Sequence, residues 1–210
     1  MKKYHIFDLD GTLIDSMPYW AQAMIDILKE GGVEPPDDII RIITPLGAAG
    51  TAKYYVEMGV EGTVESIMER QRQKLVPYYT DVITLKPFAR EYLMSLKAKG
   101  DNIYVLTASP HAFTDPVLRR NGVYDLFDCV WSSDDFDYTK VQKEIYHQAA
   151  ERIGCKVGDI IFYEDNANAI KAGKAAGTAT VGLYDKTSAE CSDEVPKVCD
   201  RYVMSFEELM

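Results

Sequence analysis

Short apolar runs alternate with amphipathic segments along most of the chain, and this alternation constrains the fold more than any other feature of the sequence. The apolar runs span residues 4–10, 102–109, 129–135, 159–165, 178–185 and, more weakly, 201–206. The segments between them carry apolar residues at helical spacing; one, residues 86–100, opens with Pro87 and closes at Gly100, which are common start and stop signals. Strand–helix alternation of this kind predicts an α/β fold with a doubly wound parallel sheet.

Residues 16–80 interrupt the alternation, because they contain no convincing strand. From Trp20 to Leu28 the apolar residues recur at helical spacing, and PPDDIIRIIT and TVESIMERQRQKLV predict two or more further helices. An insertion of about sixty residues is far longer than an ordinary βα loop. It therefore predicts a helical cap domain inserted after the first strand. We place the cap at residues 16–81, the α/β core at 1–15 and 82–210, and the linkers near 13–17 and 78–85.

The charge balance limits the partners. The 210 residues carry 33 acidic and 23 basic side chains, for a formal net charge of −10. This charge argues against binding to nucleic acid or to anionic membranes, although a bound cation can reverse the field locally. No apolar run approaches the length of a membrane span, and Asp8 interrupts the first run before a signal peptide could form. We expect a cytoplasmic protein, and the acidic surface is compatible with a monomer.

The four cysteines favour no metal site or disulfide framework. They lack the CxxC spacing of metal sites, no histidine clusters with them, and we interpret them as reduced thiols. A disulfide between Cys191 and Cys199 is left open. The spacing of the histidines also fits no metal motif.

Polar residues stand where several predicted strands end. The first strand ends in Asp8 and Asp10, the second in Thr107-Ala108-Ser109, and the fourth in Glu164-Asp165, while Lys140 opens the predicted helix at 139–154 after the third run. Ligands of open α/β sheets bind beyond the carboxyl ends of the strands, so these side chains are expected to converge. Asp8, Asp10 and Asp165 would then share a hard cation, for which Mg²⁺ is the best candidate.

The residue types predict a phosphoryl-transfer chemistry. A carboxylate at a strand end can attack phosphorus and form an aspartyl-phosphate, and a second carboxylate can act as general acid and then as general base. The Thr107 hydroxyl and the Lys140 ammonium can hold phosphoryl oxygens. The simpler alternative for Asp8 and Asp10 is a solvated acidic turn, and for Lys140 a solvated lysine, with Lys143 as a competitor for its role.

With these motifs the chain resembles the haloacid dehalogenase-like hydrolase superfamily. Asp8-Leu9-Asp10-Gly11-Thr12 matches the family's DxDGT, and Thr107 stands at the end of NIYVLT where the family has its second motif. Lys140 begins KVQKEIY, which is similar to KPxPEIF, and Glu164-Asp165 begins EDNANAIKAGKAAG, which is similar to EDSxxGxxAAxxAG. The resemblance covers nearly the whole chain. It is strongest to β-phosphoglucomutase-like and phosphoglycolate phosphatase-like members, which have a helical cap after the first strand.

The resemblance implies a role for each motif residue. Asp8 would be the nucleophile and Asp10 the acid and base. Mg²⁺ would be held by Asp8, the Asp10 backbone carbonyl and Asp165, with Glu164 nearby. The phosphate would be bound by Thr107, Ala108, Ser109 and Lys140.

Departures from the family pattern bear on the reaction. Val141 follows Lys140 where proline is usual, and Ala169 stands where many members have glycine or aspartate. Trp20 occupies the expected position of a mutase histidine, and residues 44–48 lack the arginine of a mutase cap. We therefore expect a Mg²⁺-dependent phosphatase acting on a small phosphorylated metabolite, such as a sugar phosphate or phosphoglycolate. The alternatives are a β-phosphoglucomutase-like mutase and a non-catalytic binding module of the same fold.

Overall fold

A single parallel sheet forms the centre of the molecule. The computed structural model describes residues 3–210, and within them six strands follow the order β3-β2-β1-β4-β5-β6, with every neighbouring pair parallel. The strands are β1 (Tyr4–Phe7), β2 (Asn102–Thr107), β3 (Cys129–Ser132), β4 (Ile160–Glu164), β5 (Ala179–Leu183) and β6 (Arg201–Val203). The predicted doubly wound α/β fold is confirmed, and each of the six apolar runs contains one strand.

Helices fill the connections between the strands. Those between β1 and β2 are α1 (Met17–Glu30), α2 (Ile39–Ile43), α3 (Gly47–Glu57), α4 (Val64–Pro77) and α5 (Ala89–Ala98). The others are α6 (His111–Arg120), α7 (Glu144–Ile153), α8 (Ala167–Ala176), α9 (Lys186–Cys191) and α10 (Val195–Val198). The chain from α1 to α5 contains no strand, in agreement with the helical insertion. The domain boundaries at 15/16 and 81/82 stay a prediction.

The sheet is buried on both faces, which explains why its strands read as continuous apolar runs. Successive residues of β1 point to opposite faces, so Phe7 joins one buried cluster and Ile6 joins another. The cluster around Phe7 continues without a break into α1 and α4, where it includes Ile27 and Leu75. The helices of the insertion therefore share apolar packing with one face of the sheet.

Helix α7 begins later than the sequence predicts. The spacing of Val141, Ile145 and Ala149 predicts a helix from residue 139, but α7 starts at Glu144 and Val141 is 58% exposed. A turn replaces the first helical turn, because the Gln142 side chain accepts a hydrogen bond from the Thr139 backbone N–H at 2.9 Å. Lys140 consequently lies in the loop before α7 and does not open the helix.

Two further expectations concern the thiols and the membrane. All four cysteines are free thiols, so Cys191 and Cys199 form no disulfide. In the part of the chain that the structure describes, no helix combines the length and the apolar character needed to cross a membrane.

Candidate active site

Three buried carboxylates meet at the carboxyl ends of β1 and β4. Asp8 directly follows β1, Glu164 ends β4 and Asp165 follows it, and one carboxylate oxygen of each lies within 4.8 Å of the others. Their exposed fractions are 3%, 1% and 4%. The parallel pairing of β1 with β4 produces this arrangement. The pairing continues past β1, because the Asp8 backbone N–H donates to the Tyr163 carbonyl at 2.9 Å. Asp10, which the sequence groups with them, lies outside this cluster.

One ammonium faces the three carboxylates. Lys140 Nζ donates to Glu164 Oε2 at 2.9 Å and also to Asp8 Oδ1. Its side chain is only 11% exposed, although it comes from a loop. Lys143, the competing lysine, is exposed. Of the two lysines considered from the sequence, Lys140 is therefore the one at the carboxylate cluster.

The electrostatics of the cluster favour an additional positive charge. Burial and the neighbouring carboxylates raise the pKa of Asp8 well above its usual range, and burial also raises the pKa of Glu164. Burial, with Asp8 next, raises the pKa of Asp165 to about 7. For Lys140, burial lowers the pKa, but the carboxylates of Asp8 and Glu164 outweigh it and the pKa is raised. A divalent cation with oxygen ligands fits this donor set, because one ammonium does not balance three buried carboxylates.

Neighbouring groups fix the orientation of Asp165. Thr12 Oγ1 donates to Asp165 Oδ1 at 2.8 Å, and Ser188 Oγ donates to Asp165 Oδ2 at 2.5 Å. Gly11 allows the turn that brings Thr12 there, since its φ is +79° and a Cβ at this position would lie 2.5 Å from Asp165 Oδ2. From the sequence alone, Thr12 has no assigned role in orienting Asp165, and Ser188, which follows β5, belongs to no motif and is not found.

Asp10 lies in a different set of contacts. Ser109 Oγ donates to Asp10 Oδ2 at 2.6 Å, and the Tyr79 hydroxyl donates to Asp10 Oδ1. The Tyr79 hydroxyl in turn accepts a hydrogen bond from Trp20 Nε1 at 2.7 Å. Burial, together with the charge of Asp10, raises the pKa of Tyr79 well above its usual range. This chain of hydrogen bonds links α1 and the end of the insertion to the loop after β1.

Tyr79 is a site residue that the sequence reasoning did not find. The pair Tyr78-Tyr79 suggests packing at the hinge, and Tyr79 does stack on Phe113 with ring centroids 4.7 Å apart. The hydroxyl contact to Asp10 depends on how the end of the insertion folds back over the loop after β1, which no local pattern encodes. The one feature of the sequence that could have indicated a site role for Tyr79 is its position inside the predicted linker near 78–85.

The end of β2 contributes Thr107, Ala108 and Ser109. The Thr107 side chain is buried, and its Oγ1 accepts a hydrogen bond from the Ser109 backbone N–H at 3.0 Å. Thr107 thus makes the local contact expected of a strand-end residue, within the same loop that carries Ser109 to Asp10. Ala108 and Ser109 also line the adjoining cavity.

A cavity of about 510 Å³ adjoins the site between the sheet and the inserted helices. Asp10, Ala108 and Ser109 form its end nearest the carboxylates. Its wall is mostly apolar and comes from α1, α2, α4 and α6, with residues such as Met17, Trp20, Met24, Ile40, Ile43, Met68, Leu75 and Phe113. A volume of this size accommodates a small organic molecule.

Comparison with known proteins identifies a family for most of the chain. The model of the family described as "Hydrolase: haloacid dehalogenase-like hydrolase" matches residues 3–177. A phosphoglycolate phosphatase of Pectobacterium atrosepticum is 31% identical over 186 residues, which are 84% of this chain and 78% of that protein. Hexitol phosphatase B of Escherichia coli is 28% identical over 181 residues, with 81% of this chain and 78% of that protein covered.

Solved structures share the fold. The β-phosphoglucomutase of Clostridium difficile superposes with a TM-score of 0.80 at 21% identity, and the match covers all of this chain (100%) and 94% of that one. At this identity the likeness establishes the architecture and leaves the reaction undecided.

Proposed function

The chain belongs to the haloacid dehalogenase-like hydrolase family and is a phosphoric monoester hydrolase; from this premise we propose that it hydrolyses a small phosphomonoester with Mg²⁺, through an aspartyl-phosphate on Asp8. The substrate class would be a sugar phosphate or a phosphoglycolate-like ester. The observation that carries the proposal is the buried cluster in which Asp8 lies beside Lys140, Glu164 and Asp165. In this proposal residues 1–15 and 82–210 form the catalytic core and residues 16–81 the cap.

In the first step, an oxygen of Asp8 attacks phosphorus and the bond to the leaving alcohol breaks. Lys140, which contacts Asp8 directly, neutralises negative charge on the phosphoryl oxygens as they approach a carboxylate. Asp8 and Asp165, with Glu164 beside them and the Asp10 backbone carbonyl as a further ligand, would hold Mg²⁺. When bound, this cation supplies the positive charge that lets an anionic substrate approach an acidic site.

Asp10 acts as general acid and protonates the leaving oxygen. It then acts as general base on a water molecule, which attacks phosphorus and breaks the bond to Asp8, so that inorganic phosphate is released. The Tyr79 hydroxyl accepts from Trp20 and therefore directs its own proton to Asp10 Oδ1. The proton that Asp10 exchanges is accordingly carried on Oδ2. Ser109 Oγ contacts this oxygen at 2.6 Å and, as a hydroxyl, can either donate to it or accept from it.

The loop after β2 is proposed to bind the phosphoryl group. Ala108 and Ser109 follow the buried Thr107 and line the cavity, where the Ala108 N–H is suited to an equatorial oxygen, while the Ser109 N–H, bonded to Thr107 Oγ1, would be shared with a second one. In this proposal Thr107 shapes the loop through its bond with the Ser109 N–H and adds a hydroxyl to the phosphate site.

A mutase is the second candidate, and the cavity wall disfavours it. A mutase must hold a second phosphate away from Asp8, which calls for a cation on the wall. Among the wall residues that the structure describes, the one cationic side chain is Arg72, and both its Nε and Nη2 donate to Glu69, at 2.7 and 2.6 Å. A binding module without catalysis is also disfavoured, because all four motifs retain their polar residues. The expectations of a monomer, and of no nucleic-acid or membrane partner, stay predictions.

The test is release of p-nitrophenol from p-nitrophenyl phosphate by the purified protein, with Mg²⁺ and with a chelator in its place. We expect turnover that requires Mg²⁺ and is lost in Asp8→Asn, while Asp37→Asn, at an exposed turn, retains it. Equal rates in Asp8→Asn and the wild type would overturn the assignment of the nucleophile. Equal rates in chelator and Mg²⁺ would overturn the metal requirement.

A further inference from the structure

The cavity beside Asp10 has no uncommitted cation on its wall. Its charged wall residues, within the described part of the chain, are Asp10, Asp134 and Arg72. Arg72 is bound through two hydrogen bonds to Glu69, and its side chain is 51% exposed. A leaving group with its own carboxylate or phosphate would therefore meet two aspartates, and it would have to compete with Glu69 for Arg72. Such a group would lose its hydration without gaining a partner, which is unfavourable.

The apolar character and the size of the cavity also favour a leaving group without a second anionic group. Phosphoglycolate adds only a methylene and a carboxylate to the phosphate, whereas the cavity of about 510 Å³ is in the size range of sites for larger organic ligands. Trp20 and Phe113 lie on the wall with their ring centroids 6.5 Å apart in an edge-to-face arrangement. Apolar and aromatic surface of this kind favours a bulky, uncharged body.

Gln71 adds a polar requirement to this apolar wall. It lies on α4, lines the cavity and is 2% exposed. Neither Nε2 nor Oε1 of its amide has a hydrogen-bond partner. In the described chain Ser16 and Thr178 also have buried polar atoms without a hydrogen bond, as does His5, whose Nε2 faces Asp101 at 3.4 Å, but none of these three lines this cavity. A buried amide without partners is destabilising. The two amide atoms are shielded from solvent, so a ligand group would satisfy them once the Gln71 side chain turns toward the cavity.

We propose that the substrate is the phosphate ester of an uncharged, largely apolar alcohol, larger than glycolate, that carries a hydroxyl or carbonyl group which hydrogen-bonds to the Gln71 amide. This inference rests on the proposed function and narrows its substrate. It disfavours phosphoglycolate and other esters with a second anionic group. Gln71 is a specificity-determining residue in this proposal, since it selects for one polar group within an otherwise apolar leaving group.

The experiment compares binding and turnover of matched esters with Mg²⁺. The probes are 2-naphthyl phosphate, its 5-, 6- and 7-hydroxy derivatives, and phosphoglycolate. Binding is measured by calorimetry on Asp8→Asn, and kcat/KM on the protein with Asp8 intact, each with and without Gln71→Met. Gln73→Met is the matched control, because Gln73 lies on the same helix but is exposed and bonds Glu69.

We expect the naphthyl esters to bind and react at least about tenfold better than phosphoglycolate, and one hydroxy derivative to exceed the parent by about tenfold. Gln71→Met should remove the preference for the hydroxyl, leave 2-naphthyl phosphate unimpaired and raise the melting temperature, while Gln73→Met changes none of these. A lower melting temperature for Gln71→Met would identify the amide as structural and overturn the proposal, as would tighter binding of phosphoglycolate. Binding of the naphthyl esters without turnover would refute the proposed phosphatase activity, but it would still support the proposed preference of the cavity for apolar esters.

Discussion

At the residue scale, Asp8 and Asp10 lie two positions apart and yet have separate surroundings. The strand ends before Asp8, and the turn that follows directs Asp8 to Lys140 and Asp10 to Tyr79 and Ser109. Two carboxylates in different environments can perform different tasks, one as nucleophile and one as proton carrier. The short spacing, which by itself suggests mutual repulsion, is therefore accommodated because each carboxylate has its own hydrogen-bond donors.

Tyr79→Phe tests whether the phenol positions Asp10. The substitution keeps the ring on Phe113 but removes the hydrogen bond to the carboxylate and the acceptor for Trp20 Nε1. We expect kcat for an alkyl phosphate to fall about ten- to a hundredfold, since a hydrogen bond to a charged group contributes about 1.5–3 kcal/mol. For p-nitrophenyl phosphate, whose leaving group needs no proton, the first step should change much less. Equal losses of activity with the two esters would contradict the proposed role of Tyr79 in positioning Asp10.

Lys140→Met, compared with Lys143→Met, separates the two lysines. Removal of Lys140 leaves the carboxylates of Asp8 and Glu164 without their ammonium partner and leaves the phosphate without a cationic contact. We expect kcat/KM to fall by about a hundredfold or more, and Lys143→Met to remain close to the wild type because Lys143 is exposed. Steady-state kinetics with p-nitrophenyl phosphate measures both, and a larger loss in Lys143→Met would reverse the assignment.

At the scale of elements, the turn after β1 requires a glycine for two separable reasons. Gly11 has φ of +79°, and a Cβ there would also lie 2.5 Å from Asp165 Oδ2; Gly32 has φ of +71° but nothing within 4 Å. Gly32→Ala therefore reports the backbone cost alone, about 1–2 kcal/mol. We expect Gly11→Ala to lower the free energy of unfolding by more than this and to reduce turnover, because Asp165 must move. Similar effects of the two variants in denaturant titrations would contradict the close approach.

The pairing of β1 with β4 also buries a titratable group. His5 Nδ1 lies 2.8 Å from the Tyr163 hydroxyl, and Nε2 lies 3.4 Å from Asp101 Oδ2. Burial lowers the pKa of His5 below 6.5, with Asp101 opposing the shift. The unfolded chain therefore binds this proton more readily, so the stability due to neutral His5 is complete above pH 6.5 and is lost as the pH falls below it.

We expect the free energy of unfolding of His5→Asn to depend less on pH than that of the wild type between pH 7.5 and 5. The difference in slope should be at most about 1.4 kcal/mol per pH unit, since one proton is involved. Urea titrations across this range measure it. Parallel pH profiles for the two proteins would show that His5 keeps an ordinary affinity for its proton when folded.

For the whole molecule, the sequence predicts the fold better than it predicts the contacts across the site. The spacing of apolar residues and the polar residues at strand ends are local properties of the sequence. They locate all six strands, and they locate Asp8, Glu164 and Asp165, which meet at the carboxyl ends of β1 and β4. The contacts of Tyr79 and Ser188 depend on how distant segments fold onto the loops after β1 and β4, so no local pattern encodes them. The start of α7 is mispredicted for a related reason, because a side-chain bond from Thr139 to Gln142 replaces a helical turn.

The inserted helices and the sheet act together in the proposed reaction, because the sheet supplies Asp8 and the insertion supplies the phenol on Asp10. The proposed intermediate gives the most direct test of this account. Asp10→Asn should still let Asp8 attack p-nitrophenyl phosphate, since p-nitrophenolate leaves without a proton, but should be slow to activate water.

The decisive measurement is mass spectrometry of Asp10→Asn after brief reaction with p-nitrophenyl phosphate and Mg²⁺, with the modified residue located by peptide mapping. We expect one phosphoryl group on Asp8 and a matching burst of p-nitrophenol. A phosphoryl group on another residue, or steady release of p-nitrophenol with no burst and no adduct, would contradict it.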